Sequence, residues 1–99
     1  MTYSLIFHPE VKVDVQDSYV WYESQRSGLG EEFILSMEAT LENIRRNPER
    51  FPVSEEETRK ALLFRFPFSI IYQIVNEGIL ILAVFHTSRN PDKLKDRLD

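Results

Sequence analysis

Apolar and polar positions along this chain follow two different periods, and the changes of period divide it into predicted elements. Residues 3–7 are aromatic or branched apolar and stop before a proline, which predicts a short strand. Residues 11–16 alternate at period two, yet Val11 and Val15 also begin a longer helical repeat. Helix is favoured, because the proline suits a first helical turn and no turn signal follows before Arg26.

A second helix is predicted after the break at 27–30, which contains two glycines. From Glu31 to the stop at Asn47–Pro48, apolar side chains repeat at spacings of three and four: Ile34, Met37, Leu41 and Ile44. So short a connection between two helices predicts an antiparallel hairpin.

Three strands are predicted in the second half of the chain, at 58–66, 68–75 and 79–86. The last two are joined at 76–78, where glycine can supply the positive φ of a three-residue hairpin loop. The strand at 79–86 is apolar at both parities, so it is expected inside the sheet with both faces covered. The remaining segment, 92–99, is a short polar tail of helix-like composition.

The predicted architecture is α+β, in the order β-α-α-β-β-β: a mainly antiparallel sheet packed against the helical hairpin. A connection at 48–57 links the hairpin to the sheet and is expected to pack Phe51 against the body. Strand alternation at 58–66 predicts that Arg59 and Arg65 share one face. At 99 residues the chain is expected to form one domain, 1–99.

Composition and charge exclude several classes of function. The chain has no cysteine, which rules out disulfides, thiolate metal sites and thiol nucleophiles. The net charge of −4 argues against a generally basic nucleic-acid binder, although residues 1–57 carry −7 and residues 58–99 carry +3. Either the second half is where an anionic partner would be steered, or the two halves neutralise each other within one fold.

The targeting signals and the common cofactor motifs are also missing from the sequence. The longest apolar run, 79–85, is far shorter than the roughly 20 residues of a membrane span, and the N-terminus has no basic signal region. A cytoplasmic location is expected. The chain has no glycine-rich phosphate loop and no histidine pair at ligand spacing, so neither a cofactor nor a metal is expected.

Short motifs occur in a characteristic order along nearly the whole chain. They are Leu29–Gly30 with Phe33, Asn47–Pro48 with Phe51–Pro52, Arg59, the run 66–72 (FPFSIIY) and the run 81–91 (ILAVFHTSRNP). This ordered set resembles the ParE branch of the RelE/ParE toxin superfamily. The resemblance implies a bacterial type II toxin, a sheet packed on a helical hairpin, and a cognate antitoxin that wraps and neutralises the toxin.

The superfamily implies two alternative activities. ParE-like members bind and poison DNA gyrase, whereas RelE-like members cut messenger RNA on the ribosome with basic side chains and often a tyrosine. An arginine of the RelE-like pattern falls on Ser69 here, one lysine falls near Leu62, and no tyrosine follows Tyr72. The resemblance therefore favours gyrase binding, with an endoribonuclease as the alternative and a non-toxic, antitoxin-binding relative as a third possibility.

Candidate site residues follow from these alternatives. No catalytic residue is assigned for the gyrase poison; a nuclease would use Lys60, Arg65, His86 and Arg89. The candidates for contact with target or antitoxin are Arg59, Arg65, Arg89, Trp21 and Tyr22.

Several of these residues also have an ordinary structural interpretation. The arginines could form surface ion pairs, which contribute only about 0–1 kcal/mol each; for Arg89 the expected partner is Asp92 or the C-terminal segment. Tyr72 is expected to be core with a satisfied hydroxyl. Trp21 and Tyr22 are expected either in the core or on the floor of an antitoxin groove.

Overall fold

The computed structural model describes residues 3–90 and 92–98, and these form three helices and a four-stranded sheet. Pro91, which ends the last motif, and Asp99, which ends the predicted tail, lie outside the described residues, as do Met1 and Thr2. The elements in chain order are β1 (Ser4–Phe7), α1 (Glu10–Gln25), α2 (Leu29–Arg46), β2 (Arg59–Leu62), β3 (Phe68–Val75), β4 (Gly78–His86) and α3 (Asp92–Leu98).

The sheet has the strand order β1-β4-β3-β2. Both β2–β3 and β3–β4 are antiparallel, while β1 runs parallel to β4. The prediction of an α+β fold with a mainly antiparallel sheet is confirmed, and the sheet is mixed because the helical hairpin returns the chain beside β1 in the same direction. Among the described residues, β1 and β2 are the two edge strands.

The helical hairpin is confirmed, and glycines at its turn explain its tight connection. Gly28 has a φ of +90°, the left-handed conformation that glycine adopts without a Cβ clash. A Cβ on Gly30 would lie 2.9 Å from both the ring and the carbonyl oxygen of Tyr19. This close approach lets α2 begin at Leu29, two residues earlier than the sequence predicted.

The main core lies between the sheet and the hairpin and is centred on aromatic rings. Phe33 of α2 is fully buried, and its ring centroid lies 5.0 Å from that of Phe68 and 5.5 Å from that of Phe66. Tyr22 of α1 packs on all three of these rings. Edge-to-face and offset contacts of this kind stabilise a core beyond the area that they bury.

The central strand β4 is covered on both faces, as predicted. Ile79 and Ile81 face the hairpin, while Leu82 and Phe85 face α3 and pack with Leu94. The register against β3 shifts at Leu82, because Ile71 pairs with Ala83 while Tyr72 pairs with Ile81. This bulge leaves one extra residue in β4 and changes which side chains face each layer.

Two details of the predicted strands are wrong. The structure ends β2 at Leu62, four residues early, because the chain bends away at 64–67 and Arg65 takes a left-handed φ of 74°. The β3–β4 connection has two residues, and Asn76 (φ 57°), not Gly78, takes the left-handed conformation. Asparagine tolerates that conformation better than most residues.

A buried ion pair closes the edge of β4 that β1 leaves uncovered. The pairing of β1 with β4 ends at Phe7 and Ile81. Beyond it, the carboxylate of Asp14 on α1 accepts a hydrogen bond from the backbone N–H of Val84 at 3.0 Å. Arg97 of α3 donates to both Asp14 oxygens, at 2.5 and 2.8 Å, and to the carbonyl of Leu82 at 3.0 Å. This Asp14–Arg97 pair ties α1, β4 and α3 together.

Tyr72 of β3 is fully buried, and its hydroxyl donates a 2.6 Å hydrogen bond to the carbonyl oxygen of Pro48, as the prediction of a satisfied core tyrosine required. Burial raises the pKa of Tyr72 to about 12, although the nearby positive charge of Arg59 opposes the shift. Because the folded state favours the neutral phenol, this contribution to stability is present below the unfolded-state pKa of about 10 and is lost as the pH rises towards 12.

We therefore expect Tyr72→Phe to lose about 1–3 kcal/mol at neutral pH, because a buried carbonyl loses its donor. The same variant should lose less additional stability than the wild type between pH 10 and 12. Urea unfolding at neutral and alkaline pH measures both effects, with Tyr3→Phe, at a partly buried position near the N-terminus, as the control. An unchanged stability of Tyr72→Phe at neutral pH would contradict the assigned hydrogen bond.

Candidate functional site

A small cleft lies on the α3 side of the sheet, beside the end of β4. Its polar lining residues are Lys60, Ser69, His86, Thr87 and Arg89, and its apolar walls are Ile71, Phe85 and Leu94. Its volume is about 100 Å³. We call it the basic cleft, because it contains two permanent cations and no acidic residue among its described lining.

Strand register explains why residues distant in sequence meet in the basic cleft. Ile71 of β3 pairs with Lys60 of β2 on one side and with Ala83 of β4 on the other. Ser69 pairs with Phe85 on the same face. β3 lies between β2 and β4, and neighbouring strands are about 4.8 Å apart. Lys60 on β2 and the end of β4 are therefore about two strand spacings apart, one on each side of the cleft.

His86 is the last residue of β4 and lines the basic cleft, while its ring lies on the side of the sheet that Phe68 occupies. Its Nδ1 accepts a 3.1 Å hydrogen bond from the backbone N–H of Ser88 and lies 2.8 Å from the Ser88 hydroxyl. With Nδ1 accepting, the proton of the neutral ring is on Nε2, which is then a donor. The ring also packs edge-on against Phe68, at a centroid distance of 5.3 Å.

Arg89 follows β4 and lies over the ring of Phe85, with its guanidinium carbon 4.1 Å from the ring centroid. Its Nη1 is 3.9 Å from Asp14, and its side chain is 41% exposed. Asp14 is already engaged by Arg97 at 2.5 Å, so it compensates the charge of Arg89 only in part. The expected intramolecular partner, Asp92 or the C-terminal segment, is replaced by a carboxylate on α1.

Arg65, a candidate for the nuclease alternative, lies away from the basic cleft. It forms an exposed 3.0 Å salt bridge with Glu32 at the start of α2, and Arg26 pairs with the same carboxylate at 2.9 Å. Hydrogen bonds from Arg26 and Arg65 hold the pKa of Glu32 below its usual range. The structure thus gives Arg65 a partner that the sequence did not indicate.

Arg59 is the first residue of β2 and lies near the C-terminal end of α2, opposite the end where Arg65 binds Glu32. It donates to the carbonyl oxygens of Glu49 and Phe51, at 3.1 and 2.5 Å. The α2 helix between the two sites spans about 20 Å at 1.5 Å per residue. The prediction that Arg59 and Arg65 share one strand face is therefore wrong, because Arg65 lies beyond the end of β2 at Leu62. Phe51 does pack back on the body, with its ring edge-on to Tyr72 at 6.4 Å.

Trp21 and Tyr22 separate onto different faces of α1. Tyr22 belongs to the aromatic core, whereas Trp21 is 61% exposed on the outer side of the hairpin. Neither residue lines a groove among those that the structure describes. Tyr22 is therefore a core residue, which is one of its two expected positions, whereas Trp21 is a surface residue.

A much larger groove lies beside β1 and the hairpin, with a volume of about 720 Å³. Its floor is apolar, and His8, Lys12 and Gln16 are its polar residues; the apolar members are Phe7, Pro9, Val11, Val15, Tyr19 and Ile34. We call it the apolar groove. Sequence reasoning missed it, although Val11, Val15 and Tyr19 at spacings of four had marked the helical stripe that forms its floor.

The described residues contain neither a grouped set of metal ligands nor a helix suited to cross a membrane. Within residues 3–90 and 92–98, no three histidine, cysteine or acidic side chains are grouped so that they could hold a metal ion. In the same part of the chain, no helix combines the length and apolar character that crossing a bilayer requires.

Comparison with known proteins gives a family match and structural matches. The sequence model of a family described as the ParE toxin of type II toxin–antitoxin systems, parDE, matches residues 5–91. A solved structure titled "Chromosomal ParDE TA system from P. aeruginosa" superposes with a TM-score of 0.77 over 86% of this chain and 96% of that chain, at 18% identity. That likeness shows a shared fold. A search of curated proteins found no match.

Proposed function

This chain belongs to the ParE toxin family of type II toxin–antitoxin systems, and from that premise we propose that it poisons DNA gyrase by binding it. A cognate antitoxin, as the family description implies, neutralises it. In this mechanism the toxin holds gyrase in a DNA-cleaved state and blocks replication, with no bond made or broken by the toxin itself.

The composition of the basic cleft is the observation that carries the proposal. Metal-free cleavage of RNA needs a base, an acid and several cations around the scissile phosphate. In the cleft, Ser69 stands where the RelE-like pattern has an arginine, and it is only 7% exposed. Arg65 is bound to Glu32 elsewhere. The remaining cations, Lys60 and Arg89, suit binding better than catalysis.

A supercoiling assay tests this proposal. Purified toxin, added to gyrase, ATP and relaxed plasmid, is expected to stop supercoiling and to accumulate cleaved DNA. Toxin premixed with its antitoxin serves as the control and should leave gyrase active. Normal supercoiling at a large excess of folded toxin would reject gyrase as the target.

A ribosome-dependent endoribonuclease is the second candidate, because Lys60, His86 and Arg89 do converge on one cleft. His86 is the candidate base or acid for such a reaction. Primer extension on messenger RNA from translating ribosomes would then show new 5′ ends that depend on the toxin. Their absence, together with gyrase inhibition, separates the two candidates.

For the antitoxin, we propose the apolar groove as its docking site. The groove borders β1, whose outer edge carries no strand among the described residues, and Ile6 and Phe7 there are 56% and 48% exposed. An exposed strand edge and an apolar groove together fit an amphipathic segment that orders on binding. Lys12 at the rim favours an acidic residue beside the apolar ones.

A further inference from the structure

The basic cleft holds positive charge that the fold does not use. Among the described residues, Lys60 has no carboxylate within 4.0 Å, and Arg89 has only the long contact to Asp14. Both side chains can therefore bind an anion without first breaking a close ion pair. From this arrangement we infer that the basic cleft binds a phosphate group of a nucleic-acid backbone without cutting it.

The donors that surround the cleft match a phosphate. Lys60 and Arg89 both line the cleft and supply charged N–H groups. The hydroxyls of Ser69 and Thr87 also line the cleft. Charged donors to an anionic oxygen form hydrogen bonds roughly twice as strong as neutral ones, so the two cations carry most of the expected affinity.

Size and position favour a backbone phosphate over a protein segment. The cleft has about 100 Å³, against about 720 Å³ for the apolar groove, so it admits a small charged group and no helix. Arg89 also lines a neighbouring depression with His8, Lys93 and Arg97. The cations Lys60, Arg89 and Lys93 thus line two adjoining spaces, and we call them the cation row; an extended polyanion can occupy both spaces, whereas a single carboxylate would fill one only.

Acidic residues lie beside this row and limit the number of phosphates that it can bind. Glu10 and Asp96 line the neighbouring depression. On the other side of Leu94, a separate depression contains Glu55, Glu56 and Asp92 together with Lys60. These five carboxylates flank the row, so the predicted footprint is two or three phosphates and the affinity depends steeply on salt.

The inference deepens the proposed function, since gyrase presents bound DNA to the toxin, but its test needs no gyrase. Fluorescence anisotropy measures binding of purified toxin to a labelled DNA duplex of about 20 base pairs and to single-stranded RNA of the same length, at about 50 and 200 mM salt. The test variants are Lys60→Gln and Arg89→Gln. Arg46→Gln is the matched control, because Arg46 is 72% exposed at the far end of α2.

We expect Arg89→Gln to weaken binding about 5–10-fold and Lys60→Gln about 3–5-fold at low salt, each lowering the logarithmic salt slope by about 0.9. Arg46→Gln should stay within about 2-fold, because it removes charge but no phosphate contact. Equal weakening by all three variants would show that binding depends on the overall charge of the protein and not on the basic cleft, and this result would overturn the inference. Thermal unfolding checks that Arg89→Gln, which also loses its contact to Asp14, remains folded.

Other outcomes are also decisive. Binding to DNA, or to DNA and RNA alike, supports a phosphate site; binding to RNA followed by its cleavage would overturn the inference in favour of a nuclease. Stronger competition by polyglutamate than by DNA would identify a carboxylate site instead. Gyrase inhibition without toxin–DNA binding would reject the inference alone, while toxin–DNA binding without gyrase inhibition would reject the proposed target alone.

Discussion

Asp14→Ala is expected to lower the free energy of unfolding by about 3–5 kcal/mol, because it leaves a buried charge without its partner. The Asp14 side chain is 3% exposed and that of Arg97 is 8% exposed. The substitution also removes the acceptor of the Val84 N–H, which no neighbouring strand replaces. So large a loss approaches the total stability of many domains of this size, which lies at about 5–15 kcal/mol.

Urea unfolding measures this effect, and Glu42→Ala provides the matched control. Glu42 also pairs with arginines, Arg45 and Arg46, but its side chain is 42% exposed, so its loss should cost much less than the loss of Asp14. Asp14→Asn supplies a second variant if the alanine variant does not fold. It retains an acceptor for Val84, while it too leaves Arg97 without a counter-charge.

The double variant Asp14→Leu with Arg97→Met distinguishes the cost of an unpaired buried charge from the cost of lost packing. Replacing both members of a buried pair by apolar residues is often close to neutral, whereas removing one member is not. The double variant should therefore be more stable than Asp14→Ala. If Asp14→Ala cost no more than Glu42→Ala, the Asp14–Arg97 pair would not hold α3 against the sheet.

The sequence predicts those parts of the fold that depend on neighbouring residues better than those that depend on contacts between distant residues. The strand at β4 was evident because apolar residues at both parities have no other simple explanation, and α2 was evident from its regular helical spacing. The first helix was ambiguous, since α1 buries a charged residue, Asp14, while it exposes Val20 and Trp21. The partner that explains Asp14 is Arg97, 83 residues later, and no local pattern can reveal that contact.

The candidate site was predictable in part for a similar reason. The resemblance pointed to Lys60 and Arg89 as basic positions, and the sheet register brings both to the basic cleft, which His86 also lines. Arg65 could not be placed, because strand alternation fails once β2 ends and the chain turns through a left-handed residue. The apolar groove escaped prediction because its lining comes from β1, α1 and α2, and only the tertiary structure assembles them.

Phe7→Glu is expected to weaken binding of the antitoxin about 100-fold, or about 2.8 kcal/mol at 1.4 kcal/mol per tenfold. Phe7 lines the apolar groove at its β1 border and is 48% exposed, so the free toxin tolerates a carboxylate there. In the complex the same carboxylate would be buried against apolar side chains, which is costly for an unpaired charge. Aromatic residues at the centre of an interface commonly contribute this much.

Val13→Glu is the matched control, because Val13 is 49% exposed on α1 and lies outside the apolar groove. Isothermal titration calorimetry with the cognate antitoxin gives both affinities, and thermal unfolding confirms that each variant is folded. Because Phe7 does not line the basic cleft, Phe7→Glu should still act on gyrase while antitoxin no longer neutralises it at equimolar concentration. Equal losses of antitoxin affinity for Phe7→Glu and Val13→Glu would show that the antitoxin does not dock in the apolar groove. The two positions have the same exposure and gain the same charge, so only a segment bound in the groove would distinguish them.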